Sequence, residues 1–411
     1  MKKFIHGLLV VALILLSTHT AAAQSSEDES RLQLLAIIDY LERTYLEPTS
    51  LTNDDMTDII SDSVEWIVSA QKENGSFSYE YRPFEDAFSA DNNQVRQAGT
   101  FYSLAEVYRY QTEKDAAIAS AIAAAVDYFE GVSVRGEGER GDFLCIKNSR
   151  SSTRCELGTT ALTLLGILSY LATEPIDSAE YESLAGDYLA YILEARLADR
   201  GFSNKYHVND SFADTESSFY NGESMLALVR YYQYDPQPEI KQTFAEVFTY
   251  LAAAEVFETP LYLWMTAALK DAQKLWPNDE YLEYTAEFTN QRLYSERYKR
   301  NSGKNYCAPL EGLVSAASVL EDSSDEVLKE KLEEAVDFWL AKVAQLQLHK
   351  DNPYRLVKQD GVLQLLKVND RDQAHGGFLT SEVELKQRID FTQHCVSVYL
   401  QKQVDIDGVS I

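Results

Sequence analysis

Apolar residues recur at helical spacing along most of the chain, and the segments they mark are of two kinds. The first kind carries a single apolar stripe. Around 56–71, Ile59, Ile60, Val64, Ile67 and Val68 share one face, with Asn53 or Asp54 as the predicted cap. The pattern returns at 116–129, 181–195 and 327–346. The second kind is small and apolar nearly all round, as at 94–110 with Ala98, Gly99, Leu104 and Ala105. It recurs at Glu156-Leu-Gly-Thr-Thr-Ala-Leu, at Tyr220-Asn-Gly-Glu-Ser-Met-Leu, at Leu261-Tyr-Leu-Trp-Met-Thr, at Cys307-Ala-Pro-Leu-Glu-Gly-Leu and from Asp390 onward. A helix apolar on every side is buried on every side. Glycine–aromatic turns fall between the two kinds, at Asn74-Gly-Ser-Phe, Gly141-Asp-Phe, Arg200-Gly-Phe and Gly376-Gly-Phe; the first runs into strict alternation that predicts a short hairpin.

Six such pairs cannot each bury their inner faces alone, so they should close on one another. The pattern predicts an all-α fold, an (α/α)6 toroid of six helical hairpins with short β-hairpin turns at its mouth. It should form one domain over 24–411, preceded within it by a leading helix at about 28–46. A chain of 411 residues suits a fold that grows by repetition. A linear solenoid is the alternative, and it would want a polar capping face that the sixth inner segment lacks.

Composition adds a location. Residues 1–23 combine Lys2 and Lys3, an apolar run too short to span a bilayer comfortably, and small residues before Gln24, which predicts a signal peptide. The protein is therefore expected to be periplasmic or secreted, without a lipid anchor or membrane insertion. A formal charge of −28 makes nucleic acid a poor partner and serves solubility or the attraction of cationic ligands. Four cysteines in an exported chain allow three disulfide pairings. Cys145 and Cys155 bracket a polar loop and are the favoured pair; Cys307 and Cys395 would then pair or stay free.

In such a ring the inner helices run parallel, so their N-termini gather at one mouth, where free N–H groups and partial positive charge favour polar ligands. The candidate catalytic acids and bases there are Glu156, Glu223, Glu311, Asp390 and His394. Acids near a helix start are favoured by capping and the dipole alone, but three of them in otherwise apolar helices each need a partner or a task. Arg96 and Arg388 are available partners, with a purely structural network as the plain alternative. Asp390 and His394 stand one helical turn apart, so the carboxylate is expected to orient the imidazole as in a general base; structurally, the same pair reads as a capped helix start with a satisfied histidine. Candidate substrate-binding residues are Asn93, Arg96, Tyr220, Asn221, Tyr262, Trp264, Tyr306, Arg388 and Gln393, the rings suiting sugar stacking. With 26 tyrosines in the chain, however, any single one is more often packing. Cys307 together with Asp390, His394 or Cys395 also offers zinc-ligand types, opposed by oxidation of the two cysteines to each other. No metal is assigned and no cofactor is called for.

The succession Val95-Arg-Gln-Ala-Gly-Thr-Phe-Tyr-Ser-Leu, Tyr220-Asn-Gly-Glu-Ser-Met-Leu, Leu310-Glu-Gly-Leu and Gly376-Gly-Phe, followed by Arg388-Ile-Asp-Phe-Thr-Gln-His, resembles a bacterial family of exported six-hairpin proteins over nearly the whole mature chain. That resemblance implies the toroid and attaches no activity. More broadly the chain resembles six-hairpin glycosidases, sugar epimerases and terpenoid cyclases, whose ligands occupy the same mouth, an analogy of fold. It lacks the Asp-x-Asp-Asp box of the terpenoid cyclases and the Cys-His-Gly motif of the lanthionine cyclases, which place zinc in this toroid as protein prenyltransferases do. The functional expectation is an exported carbohydrate-active enzyme, a hydrolase, lyase or epimerase acting on an envelope or environmental polysaccharide. Hydrolysis would use two carboxylates about 5–10 Å apart. Elimination or epimerisation would use His394 or a tyrosine, with Arg96 or Arg388 neutralising a uronate carboxylate. The alternatives are a non-catalytic glycan- or peptide-binding or assembly protein, and a zinc-dependent enzyme like the cyclases or prenyltransferases.

Overall fold

In a computed structural model of the chain, residues 24–176, 178–294, 304–409 and 411 are described, so the predicted signal peptide lies outside the described residues. In chain order the elements begin with helices α1 (Gln24–Tyr45) and α2 (Asn53–Ser69), strands β1 (Glu80–Arg82) and β2 (Ala87–Phe88), and helices α3 (Gln94–Tyr110) and α4 (Ala116–Glu130). Strands β3 (Ser133–Glu137), β4 (Asp142–Ile146) and β5 (Arg154–Glu156) lead to α5 (Leu157–Leu171) and α6 (Ser178–Glu194), then β6 (Lys205–His207) to α7 (Ser218–Tyr234). Next come α8 (Pro238–Ala253), α9 (Thr259–Leu275), α10 (Asp279–Leu293), α11 (Cys307–Val319) and α12 (Glu326–Ala344). The chain continues through the hairpin β7 (Tyr354–Gln359) and β8 (Val362–Lys367), the short α13 (Arg371–Ala374), β9 (Gln387–Arg388) and α14 (Ile389–Gln401).

Helices α3, α5, α7, α9, α11 and α14 form the inner layer. Each contacts the next, and α14 returns to α3, so the ring is closed and the linear solenoid is excluded. Their composition explains the position: in α5 every residue from Leu157 to Ser169 is buried, and only small residues admit such close neighbours. A Cβ on Gly166 would come within 2.4 Å of the Phe101 ring. The outer helices bury one face each; in α2 it is formed by Met56, Ile59, Ile60, Ser63, Val64, Trp66 and Ile67. The cap of α2 is Thr52, in a capping box with Asp55, and not Asn53 or Asp54, which fall inside the helix. Outer helices pack on the inner helix before them, α4 on α3, α6 on α5, α8 on α7, α10 on α9 and α12 on α11, so α14 is left to be covered by α2, from the other end of the sequence.

Contacts between neighbours fix the direction of the inner layer. Starts meet starts: Arg96 in the first turn of α3 pairs with Asp390 in the first turn of α14. Ends meet ends: Arg230 late in α7 pairs with Asp271 late in α9 and lies 3.5 Å from Glu106 late in α3. Lys270 beside them reaches Asp405 at 2.5 Å. The inner helices are therefore parallel, with one mouth.

Four of the inner helices, α3, α5, α7 and α14, also hold the turn that precedes them, and the same helical position does the holding. The fourth residue of α3, Gln97, accepts from the N–H of Phe77 at 2.7 Å. Thr160 in α5 accepts from Ile146 at 3.2 Å, Asn221 in α7 from Phe202 at 2.9 Å, and Thr392 in α14 from Phe378 at 3.1 Å. The predicted hairpin after Gly75 forms between β1 and β2, and β9 pairs with β1 as a third strand, drawing the first and last copies together. Cys145 and Cys155 are bonded between β4 and β5, and Cys307 and Cys395 between α11 and α14. The second bond engages both thiols that the zinc reading needed, so the cysteine-ligated zinc enzyme is set aside.

Candidate functional site

The mouth contains three polar clusters, each built across different helices. In the first, Arg388 at the N-cap of α14 grips Asp390 with Nε and Nη2, at 2.9 and 2.5 Å. Arg96 Nε reaches the same carboxylate from α3 at 3.0 Å. Tyr79 lies against both guanidinium groups, each 5.6 Å from its ring centroid, and its hydroxyl accepts from Arg96. Arg388 also lies over Phe391, 4.6 Å from the ring centroid. Two cations share one carboxylate here, and Glu80, opposite Arg388 across β1 and β9, and Glu384 also act on Arg388.

In the second cluster His394 finds its partner on the neighbouring inner helix. Nδ1 lies 2.6 Å from Oε1 of Glu311, on α11, and not against Asp390 one turn earlier. The reason is competition: Asp390 is already held by two guanidiniums, and charge-assisted bidentate bonds outrank an i,i+4 contact. Glu311 is buried, whereas the His394 side chain is 19% exposed. Burial pushes the Glu311 carboxyl up, and the facing imidazole opposes that shift. The Trp264 ring stands 6.2 Å from the imidazole. With Nδ1 engaged by a fixed carboxylate, Nε2 is the nitrogen left for proton transfer.

The third cluster joins α5 and α7. Glu156, the N-cap of α5, accepts from Asn148 Nδ2 at 2.9 Å and from the Tyr220 hydroxyl at 2.7 Å. Glu223 is buried behind it, its Oε2 without a partner among the described residues. A Cβ on Gly158 would fall 2.2 Å from that oxygen. Burial, reinforced by the Glu156 charge, pushes the Glu223 carboxyl well above the usual carboxylate range. The folded chain therefore keeps a proton that the unfolded chain releases at an ordinary glutamate pKa. Stability from this group is intact below the unfolded pKa and is lost as pH rises toward the folded one. Glu223→Gln, the isostere of the neutral acid, should flatten that slope and raise stability at neutral pH. Urea unfolding at pH about 5 and about 8 checks this, and identical slopes for the two proteins would contradict it.

The remaining sequence candidates have other surroundings. Asn93 is the exposed N-cap of α3, accepting from the Arg96 N–H at 3.1 Å. Asn221 is engaged by Phe202 and by Glu216, at 2.9 and 3.0 Å, holding a turn. Tyr262 turns toward the outer layer, its hydroxyl 3.0 Å from Thr289 and its ring against Phe288. Tyr306 packs on Trp339 of α12, with ring centroids 4.5 Å apart. Gln393 is buried along Gly99, where a Cβ would stand 3.6 Å from its amide nitrogen. Asn148 and Phe391 join the clusters without having been singled out; nothing in the local spacing around either marks them.

No protein-family model matches the chain, and no curated protein matches it by sequence. Solved structures do match it in fold. A sugar epimerase from a ruminal bacterium superposes with a TM-score of 0.59 at 13% identity, covering 88% of this chain and 100% of that one. The family 76 glycoside hydrolase from a bovine Bacteroides thetaiotaomicron strain gives 0.59 at 10% identity over 84% of this chain and 76% of that one. An inactive variant of the α-1,6-mannanase of Salegentibacter sp., in complex with α-1,6-mannotriose, gives 0.58 at 11% identity over 85% and 99%. At these identities the likeness is one of fold: the chain has the (α/α)6 toroid of these hydrolases and epimerases.

Proposed function

We propose that this protein is an exported carbohydrate-active enzyme that moves a proton on a sugar held in the mouth of the ring, as an epimerase or lyase. The observation that carries the reading is the His394–Glu311 pair, a partly exposed imidazole bonded at 2.6 Å to a buried carboxylate. The two guanidinium groups of Arg96 and Arg388, gathered on Asp390, support it from the neighbouring helix starts. In such a reaction Nε2 of His394 takes the proton from a carbon next to a carbonyl, and the C–H electron pair passes onto the carbonyl oxygen. Arg96 or Arg388 stabilises that oxygen or a uronate carboxylate beside it. Return of a proton to the opposite face gives the epimer, and expulsion of a β-substituent gives an unsaturated product. Two disulfides and a leader-like N-terminus agree with work in an oxidising compartment.

A hydrolase reading draws on the third cluster, where one carboxyl is held neutral beside another that is hydrogen-bonded. One experiment separates the two. The protein is incubated in deuterium oxide with mannose- and glucose-based disaccharides and with uronate-containing oligosaccharides, and the products are read by NMR, reducing-end release and ultraviolet absorbance. Deuterium at a sugar carbon, with epimer or unsaturated product, is expected. Reducing ends without deuterium would establish hydrolysis, and binding without any product would establish the non-catalytic glycan-binding alternative.

A further inference from the structure

His375, just ahead of Gly376, belongs to none of the three clusters. It faces Asp62 on α2, and together with His349, just beyond α12, it forms a group whose donor atoms all lie within 4.8 Å of one another. His375 Nε2 stands 3.3 Å from Asp62 Oδ1, and His349 Nδ1 stands 3.8 Å from Asp62 Oδ2. We propose that Asp62, His349 and His375 bind a divalent transition metal of the zinc class at the seam where the last copy of the repeat meets the first outer helix.

The donor set argues for that class, since two imidazole nitrogens and one carboxylate suit zinc and its neighbours better than magnesium or calcium, which take oxygen. The spacing agrees. Ligands about 2.0–2.2 Å from a tetrahedral zinc stand about 3.4 Å from one another. The 3.3 Å and 3.8 Å contacts reach the two different oxygens of Asp62, and the donor atoms lie within 4.8 Å of one another, so closing round one ion needs a shift of up to about 1.4 Å, which the exposed His349 side chain can supply.

The group is also held in place by atoms that are not its ligands. The Gly376 N–H donates to Leu348 O at 2.8 Å and the Leu348 N–H donates to Gly377 O at 3.1 Å, so His349 and His375 flank a fixed pair of backbone bonds. Ser63 Oγ and Gln347 Nε2 both donate to Gly376 O, at 2.9 and 3.2 Å, which ties that pair to α2 beside Asp62. Gly376 has φ of +84°, and a Cβ there would lie 1.9 Å from the Asp62 carbonyl oxygen, so only glycine lets the turn approach so closely. The His375 side chain is nine-tenths buried and its Nδ1 has no partner among the described residues. Packing, then, aims Nε2 at the carboxylate. The His349 side chain is 53% exposed and leaves one side open, where water completes the coordination.

The test uses the purified protein without a histidine tag, stripped with chelator and titrated with zinc chloride by calorimetry, then with cobalt chloride by visible absorption. One zinc per chain is expected, with a cobalt band of tetrahedral intensity. A hundredfold excess of zinc over its Kd should raise Tm by about 3 °C. His349→Ala removes an exposed side chain and Asp62→Asn keeps the shape of its own; each should weaken binding by at least about tenfold. His394→Ala should bind zinc as the unaltered protein does. Absence of stoichiometric zinc, survival of binding in both His349→Ala and Asp62→Asn, or its loss in His394→Ala would overturn the proposal.

Discussion

His394→Ala is expected to lower turnover by about 10²–10⁴-fold, the range set by losing a positioned acid–base group. Sugar affinity, measured separately by calorimetry, should change by no more than about threefold, because the substitution leaves the aromatic rings and arginines of the mouth in place. The fold should survive: the imidazole is partly exposed, and the Glu311 carboxyl left behind is already pushed toward its neutral form by burial. Glu311→Gln should also lower kcat, through loss of the carboxylate that orients the ring and stabilises its protonated form, and by less than the alanine variant does. Steady-state kcat and KM, set beside Kd, separate chemistry from binding. A His394→Ala protein with unchanged kcat would remove the proposed base from the reaction.

Arg230→Met should produce the largest loss of stability, about 3–5 kcal/mol, read as a lowered urea midpoint at unchanged m-value. Arg230 is buried at the far end of the ring between Asp271 and Glu106, and both carboxylates are themselves largely sequestered. Removing the cation leaves two acids facing each other with Arg109, 3.5 Å from Glu106, and Lys270 as the nearby positive charges. Replacing all three with apolar or neutral isosteres, Arg230→Met with Asp271→Leu and Glu106→Gln, should recover most of the loss, since the cost lies in the unpaired charges. If the single variant unfolds at the same urea concentration as the original, the pair contributes nothing net.

The inner helices were legible because a segment apolar on every side has one place to go, and α3 begins at Gln94 as its spacing predicted. The outer helices α8 and α10 were not delimited, and α10 shows why: its sequence, Asp279-Glu-Tyr-Leu-Glu-Tyr-Thr-Ala-Glu-Phe-Thr-Asn, puts tyrosines and threonines in the buried face, where an apolar stripe would be looked for. The β7–β8 hairpin was missed although Asp360-Gly361 is the residue pair such a turn requires, with φ of 49° and 82°. Within the site, a sequence displays neighbours one helical turn apart, so Asp390 looked like the partner of His394. Glu311, 83 positions away, became visible only once α11 and α14 were side by side. Asn221 misled in another way. A polar residue at a helix start suits a ligand and a turn latch equally, and only the repetition of that latch at Gln97, Thr160 and Thr392 tells them apart.

The covering of α14 by α2 has a bearing on how the protein is made. Ser63 on α2 bonds to Gly376 O across 313 positions of sequence, so the contacts that shut the barrel are among the most non-local in the chain. While a ribosome is still adding the last hundred residues, the early helices have no final partner and an apolar flank stays open to water. A chain built in this way gains from being kept unfolded, by chaperones or an export channel, until its C-terminal helix has been delivered.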